Sequence, residues 1–276
     1  MQMPVLKLTN IKGINLELLD TGSGDPVVFL HGGMGDECFR VIQEPALQEK
    51  FRIIHFHLRG WGKSELGNAP YSVELLASDT RNVLEYLKVE RAHLVAQSAG
   101  GSIALQFALD YPDSTQSIAV LEPFISEAMG DSPELGAAMK AGMERYHAGD
   151  KAGAINSLYT VLLGSDFHTR FNQTMPPGWF ERWVVDSDTL FTVATPASAS
   201  WIFTSEHASR IEQPVLNVTG ENTIKPMRQN YELIKKWIPH AENVVLENAN
   251  HAMFQTNPTG AANVLADFFS RHPINK

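Results

Sequence analysis

Short β-branched runs alternate with stretches of helical spacing at both ends of this chain, and few folds accept that rhythm. Strands separated by helices pair as parallel neighbours in one sheet, with the helices packed on its faces. Residues 27–30, 52–56, 93–96 and 117–121 read as strands, and 6–18 as an opening hairpin. Leu75, Leu76, Val83, Leu84 and Leu87 share one face of a helix over 71–87. A second helix over 102–109 stops at Tyr111-Pro112. The rhythm breaks after Pro123. From Phe124 to Ile211 the pattern is helical and rich in aromatic and methionine side chains. Alternation then resumes with a strand at 214–218, a helix at 227–237, a strand at 243–246 and a helix at 259–269. The expected fold class is α/β, a mainly parallel sheet flanked by helices. Its core segments are 1–123 and 212–276, and a helical cap is inserted at 124–211.

The chain has 276 residues, enough to bury about three quarters of the surface exposed when unfolded. Neither a disulfide nor a metal is needed to stabilise it. Cys38 is the only cysteine, so no internal disulfide can form. A net charge of -9 disfavours phosphate backbones and anionic lipid surfaces. Residues 1–10 lack the basic start and apolar core of a signal peptide, and no apolar run is long enough to cross a bilayer. The expectation is a cytoplasmic protein with a small-molecule substrate and no nucleic-acid or membrane partner. Its oligomeric state stays open.

Three pieces of sequence carry chemistry. In Ala96-Gln97-Ser98-Ala99-Gly100-Gly101 a serine stands between a strand and a helix, where a sharp turn would expose its oxygen at the top of the sheet. Small residues two before and two after it, Ala96 and Gly100, fit the crowding of such a turn. A serine that merely caps a helix reads the same way in isolation. His31-Gly32-Gly33-Met34-Gly35 follows the strand ending at Leu30 and can aim a backbone N–H at the serine; the Ala99 amide is a second donor. Lacking a following Lys-Ser/Thr pair or dinucleotide spacing, this loop does not read as a phosphate cradle. His251 follows the last strand, where a loop can bring an imidazole over the serine as base and then acid.

These pieces, with Arg59-Gly60-Trp61-Gly62-Lys63-Ser64, resemble α/β hydrolases of the esterase, haloperoxidase and proline-iminopeptidase type over essentially the whole chain. The resemblance implies the α/β-hydrolase fold, Ser98 as nucleophile, His251 as its base, and an oxyanion hole at Gly33 and Ala99, with Met34 next in line. His57 replaces an aspartate that organises the loop in that family. In many relatives the acid is an aspartate in the loop after the strand at 215–218; here Thr223 occupies that position. In some relatives the acid follows the preceding core strand, which here is Glu122, a charge directly after an apolar run. Glu122 is the favoured acid and Glu221 the second choice.

The expected reaction is hydrolysis of an ester or lactone of a small, largely apolar substrate through an acyl-serine intermediate. No cofactor or metal is expected. Met34 and Phe124 are expected to touch the substrate. Carbon–carbon bond hydrolysis, aminopeptidase action and perhydrolysis stay open on the same residues, and a non-turnover receptor using the cavity is the alternative of another class. His55 and His57 read as sheet-edge histidines without a carboxylate or cysteine to complete a metal site. Cys38 reads as packing beneath the glycine loop.

Overall fold

The structure is a computed structural model that describes residues 3–129 and 132–274. Its strands are β1 (Lys7–Ile11), β2 (Ile14–Gly22), β3 (Asp25–Leu30), β4 (Phe51–Phe56), β5 (Ala92–Gln97), β6 (Thr115–Leu121), β7 (Val215–Gly220) and β8 (Glu242–Leu246). They form one eight-stranded sheet in the order β1-β2-β4-β3-β5-β6-β7-β8. The opening hairpin and the β2–β4 pair are antiparallel, and every pair from β4–β3 onward is parallel. Parallel neighbours need long crossovers. Two of them are α1 (Val73–Tyr86) and α2 (Ala99–Asp110).

Between β6 and β7 lies the helical stretch, whose longer members are α3 (Pro133–His147), α4 (Lys151–Leu163), α5 (Phe167–Thr174) and α6 (Trp179–Thr189). Beyond Thr189 the helix continues through a π-helical turn, Leu190–Ala194, into Thr195–Ser200. After β7 come α7 (Lys225–Trp237) and, past β8, α8 (Pro258–Arg271). No helix of the described residues is long and apolar enough to cross a membrane.

Successive strand residues face opposite sides, so each central strand feeds two cores. Val28, Leu30, Leu94 and Val120 share one buried cluster with Tyr159, Trp183 and Phe191 of the inserted stretch. Val27, Phe29, Val95 and Leu121 join Leu265, Phe268 and Phe269 of α8 on the other side. The inserted helices therefore share a continuous hydrophobic core with one face of the sheet.

One expectation about the sheet is corrected. His55 and His57 are not at its edge: β4 lies between β2 and β3, and both side chains are buried. His55 Nδ1 donates to the Phe29 carbonyl at 2.9 Å across the β3–β4 pair. Edge and interior strands have the same alternating pattern, and only the tertiary pairing separates them.

The loop after β4 is fixed to α1 by a forked ion pair. Arg59 Nε and Nη2 donate to Asp79 Oδ2 and Oδ1 at 2.5 and 2.8 Å, and Asp79 is buried. Removing one partner of such a pair strands the other charge, at a cost of about 3–5 kcal/mol. Asp79→Ala is accordingly expected to lower the urea unfolding midpoint by an amount corresponding to about that loss, while Glu74→Ala on the same helix leaves it within error.

Candidate active site

Ser98 is the single residue between the end of β5 and the start of α2. Its backbone stands at φ 55°, ψ -125°, a region that costs a non-glycine residue about 1–3 kcal/mol unless its surroundings hold it. They do. Its N–H donates to the Leu121 carbonyl at 3.1 Å, and its carbonyl accepts from Gly101 and Phe124 at 2.9 Å each. Two residues on, Gly100 is required by close approach, since a Cβ there would lie 2.5 Å from the Leu30 carbonyl oxygen.

His251 Nε2 lies 3.2 Å from Ser98 Oγ, and its Nδ1 lies 2.6 Å from Glu122 Oε2. Glu122 has no exposed surface and also sits at positive φ, 48°. Its Oε1 accepts from Thr219 Oγ1 and the Gly220 N–H, both at 2.8 Å, and its Oε2 accepts from Thr223 Oγ1 at 2.8 Å. Burial pushes this carboxyl up, but the hydrogen bond and charge of His251, with the Gly220 and Thr219 donors, outweigh it and hold the pKa low. An ionised Glu122 accepts a hydrogen bond from Nδ1–H, which fixes the tautomer and leaves Nε2 as the acceptor for the serine hydroxyl. Such a line can draw a proton off a hydroxyl and stabilise the imidazolium that results. Glu221, in contrast, is exposed and accepts from the Asn248 N–H at 3.0 Å, away from the imidazole.

The glycine loop lies against the serine. A Cβ on Gly32 would fall 2.8 Å from Ser98 Cβ and 3.3 Å from the Ala99 nitrogen. Tyr159 Oη on α4 donates to the Gly33 carbonyl at 2.5 Å. Glu37 Oε1 accepts from the Gly32 N–H. Above them is a cavity of about 280 Å³ that reaches Ser98 and His251. Its apolar wall includes Met34, Phe124, Leu135, Met139, Leu158 and Leu190, the last five from the stretch between β6 and β7.

Comparison with known proteins places this architecture. The sequence profile of the family described as alpha/beta hydrolase fold matches residues 25–258. The chain belongs to that family. A pimeloyl-(acyl-carrier protein) methyl ester esterase of Aeromonas hydrophila is 26% identical over 253 residues, covering 90% of this chain and 96% of the esterase. A soluble epoxide hydrolase of a Corynebacterium species is 26% identical over 282 residues, covering 94% and 95%. Among solved structures, Est816, described as an N-acyl homoserine lactone degrading enzyme, superposes with a TM-score of 0.73 at 26% identity, covering 95% of this chain and 99% of that one. The chain is a hydrolase of the α/β-hydrolase fold.

Several side chains of this α/β hydrolase escaped the sequence reading. Thr223 stands where many relatives carry an aspartate, and its hydroxyl bonds Glu122. Gln97, next to Ser98, donates through Nε2 to the His251 carbonyl. Tyr159 was indistinguishable from the other aromatics of its helical stretch. Cys38 is packed in the core, where burial and then the charge of Glu37 push its thiol pKa up.

Two carboxylates lie beside His57. Its Nδ1 lies 2.9 Å from Glu17 Oε2, and its Nε2 3.6 Å from Asp36 Oδ1. Asp36 also pairs with Arg182 of α6 at 2.5 Å, and Asp186 of α6 accepts from the Gly62 N–H at 3.0 Å. Among the described residues no cluster of His, Cys, Asp and Glu has a metal-binding arrangement. Burial opposes the His57 proton, but the hydrogen bonds and charges of Asp36 and Glu17 overcome it and raise its pKa from 6.5 to about 9. Stability from a raised pKa is fully present below the unfolded value and lost as pH rises through the folded one. Wild type should therefore exceed His57→Gln in urea stability by most below pH 6.5, with the gap closing toward about pH 9.

Proposed function

We propose that this chain is a serine hydrolase that cleaves an ester or lactone of a small, largely apolar substrate through an acyl-serine intermediate. The observation that carries the reading is the unbroken line Ser98 Oγ, His251, Glu122, at 3.2 and 2.6 Å. In it Ser98 attacks the carbonyl carbon while His251 Nε2 takes the hydroxyl proton. Glu122 holds the ring and stabilises the imidazolium, and the Gly33 and Ala99 amides hold the oxyanion. Collapse of the tetrahedral intermediate expels the alkoxide, which takes the proton back from His251. Water then repeats the cycle on the acyl-serine.

The stretch at 124–211 serves as a cap in this reading, since side chains from it line the cavity above Ser98. Ester chemistry is supported by the Aeromonas relative and lactone chemistry by Est816. The apolar wall supports a neutral acyl chain, with discrimination of roughly 1–3 kcal/mol for a methylene-sized change.

A fluorophosphonate probe, located by peptide mapping, is expected on Ser98 and lost in Ser98→Ala, whose fold by circular dichroism is unchanged. Label on another residue, or full activity in Ser98→Ala, overturns the assignment. The acid is tested separately. Loss of the orienting carboxylate that leaves the wrong imidazole tautomer costs on the order of 10⁴ in kcat, so Glu122→Gln should fall by about that order and Glu221→Gln should stay near wild type. The reverse pattern assigns the acid to the later loop.

A further inference from the structure

Glu37 is a buried carboxyl group that the mechanism above does not use. It lies in the short 3-10 helix Gly35–Phe39 that follows the glycine loop, and it lines the same cavity as Ser98 and His251. Besides its N–H, which donates to the Met34 carbonyl at 3.1 Å, two contacts fix it. Its Oε1 accepts from the Gly32 N–H, and its backbone carbonyl accepts from Gln255 Nε2 at 2.6 Å, in the helical turn just after His251. Its second carboxyl oxygen has no hydrogen-bond partner among the described residues. Gly32 is the residue packed against Ser98 and Ala99, so whatever holds its peptide also holds the approach to Gly33.

We propose that Glu37 is a positioning residue of the hydrolase site, which anchors the Gly32 peptide with one carboxyl oxygen and offers the other to the substrate as a hydrogen-bond donor. The proposal rests on Ser98 being the nucleophile. It also narrows the substrate class: a neutral molecule with an apolar chain and, beside the scissile carbonyl, an acceptor oxygen such as a ring, carbonyl or hydroxyl oxygen.

Electrostatics favours the neutral acid. Burial raises the Glu37 pKa to about 8 against the pull of the Gly32 hydrogen bond. The neighbouring charges do not offset this. Asp36 beside it is paired with Arg182 and His57, and Asp186 accepts from Gly62. Tyr159 and Cys38 are both buried with pKa values pushed upward, burial being the larger cause and Glu37 the next. His31, buried behind the loop, is held neutral chiefly by burial and then by His57 and His55. His251, also on the cavity wall, is hydrogen-bonded to Glu122 and Ser98. A protonated Glu37 adds no charge beside the developing oxyanion, whereas its ionised form would oppose it and lose the donor. Turnover should then fall as pH rises through about 8.

Three measurements test this with a short-chain nitrophenyl ester. In infrared difference spectra of wild type against Glu37→Gln, a protonated-carboxyl C=O band should be present at neutral pH and titrate away near about pH 8. Glu37→Ala should lower kcat by up to about 10²- to 10³-fold, the order seen when an oxyanion donor is lost. Glu37→Gln, which keeps one acceptor and one donor without a charge, should recover most of that loss and lose the alkaline decline in kcat. The pH profile of the glutamine variant decides the matter even where the alanine variant fails to fold. An absent carboxyl band at neutral pH, or an alkaline decline unchanged in Glu37→Gln, overturns the proposal. With Ser98 still labelled by fluorophosphonate, such a result removes only the role of Glu37. Absence of Ser98 labelling in wild type removes the serine-hydrolase reading and this role together.

Discussion

A carboxylate with no exposed surface either finds donors for its lone pairs or takes up a proton. Glu122 finds them in Thr219, Gly220, Thr223 and His251. Those donors come from the end of β7 with the loop directly beyond it and from the loop after β8, so one side chain at the end of β6 gathers two separate segments. Its backbone reinforces the gathering, because the Glu122 N–H donates to the Val218 carbonyl at 3.0 Å. Next to it, Leu121 accepts the N–H of Ser98. The strained serine turn and the imbedded acid are thus built on adjacent residues of one strand. Displacing either would disturb the other.

The loop at 31–37 divides two electrostatic regimes. On one side Gly32, Gly33, Met34 and Glu37 face a cavity with an apolar wall. On the other, Asp36 meets His57 and Arg182 among compensating charges. Both sides depend on α6 and its continuation: Arg182 and Asp186 clamp the charged side, while Leu190 and Ala194 line the cavity. Thr189 adds a hydrogen bond to the Gly60 carbonyl at 2.6 Å. The inserted helices and the sheet are therefore joined by ionic, polar and apolar contacts at one boundary.

Much of this was legible along the chain. Strand positions were readable because buried parallel strands are short β-branched runs bounded by turn residues. Ser98, His251 and Glu122 each stand where an apolar strand ends, and the structure brings those three ends together. Glu122 was readable because a charge directly after a buried run needs a partner. What stayed hidden depends on pairings between distant segments. His55 of β4 and His57 just beyond it read as edge residues because alternation is silent on what lies beside a strand. Thr223, Tyr159 and Glu37 acquire their partners across the fold, and nothing local to them announces it. The 3-10 helix Gly35–Phe39 carries no periodicity long enough to register.

The π-helical turn at Leu190–Ala194 has a consequence for how this family member can change. A π turn holds one more residue than an α turn of the same helix. Deleting one residue there restores regular winding within the same turn, so the helix beyond it keeps its orientation relative to what precedes it. Arg182 and Asp186 would keep their grip on the core, and Thr195 and Ser198, which line the cavity, would keep facing it. A single-codon deletion at this turn thus removes one residue while leaving the rest of the cavity wall in place, whereas the same deletion in the regular helix before it would rotate everything beyond by about 100°.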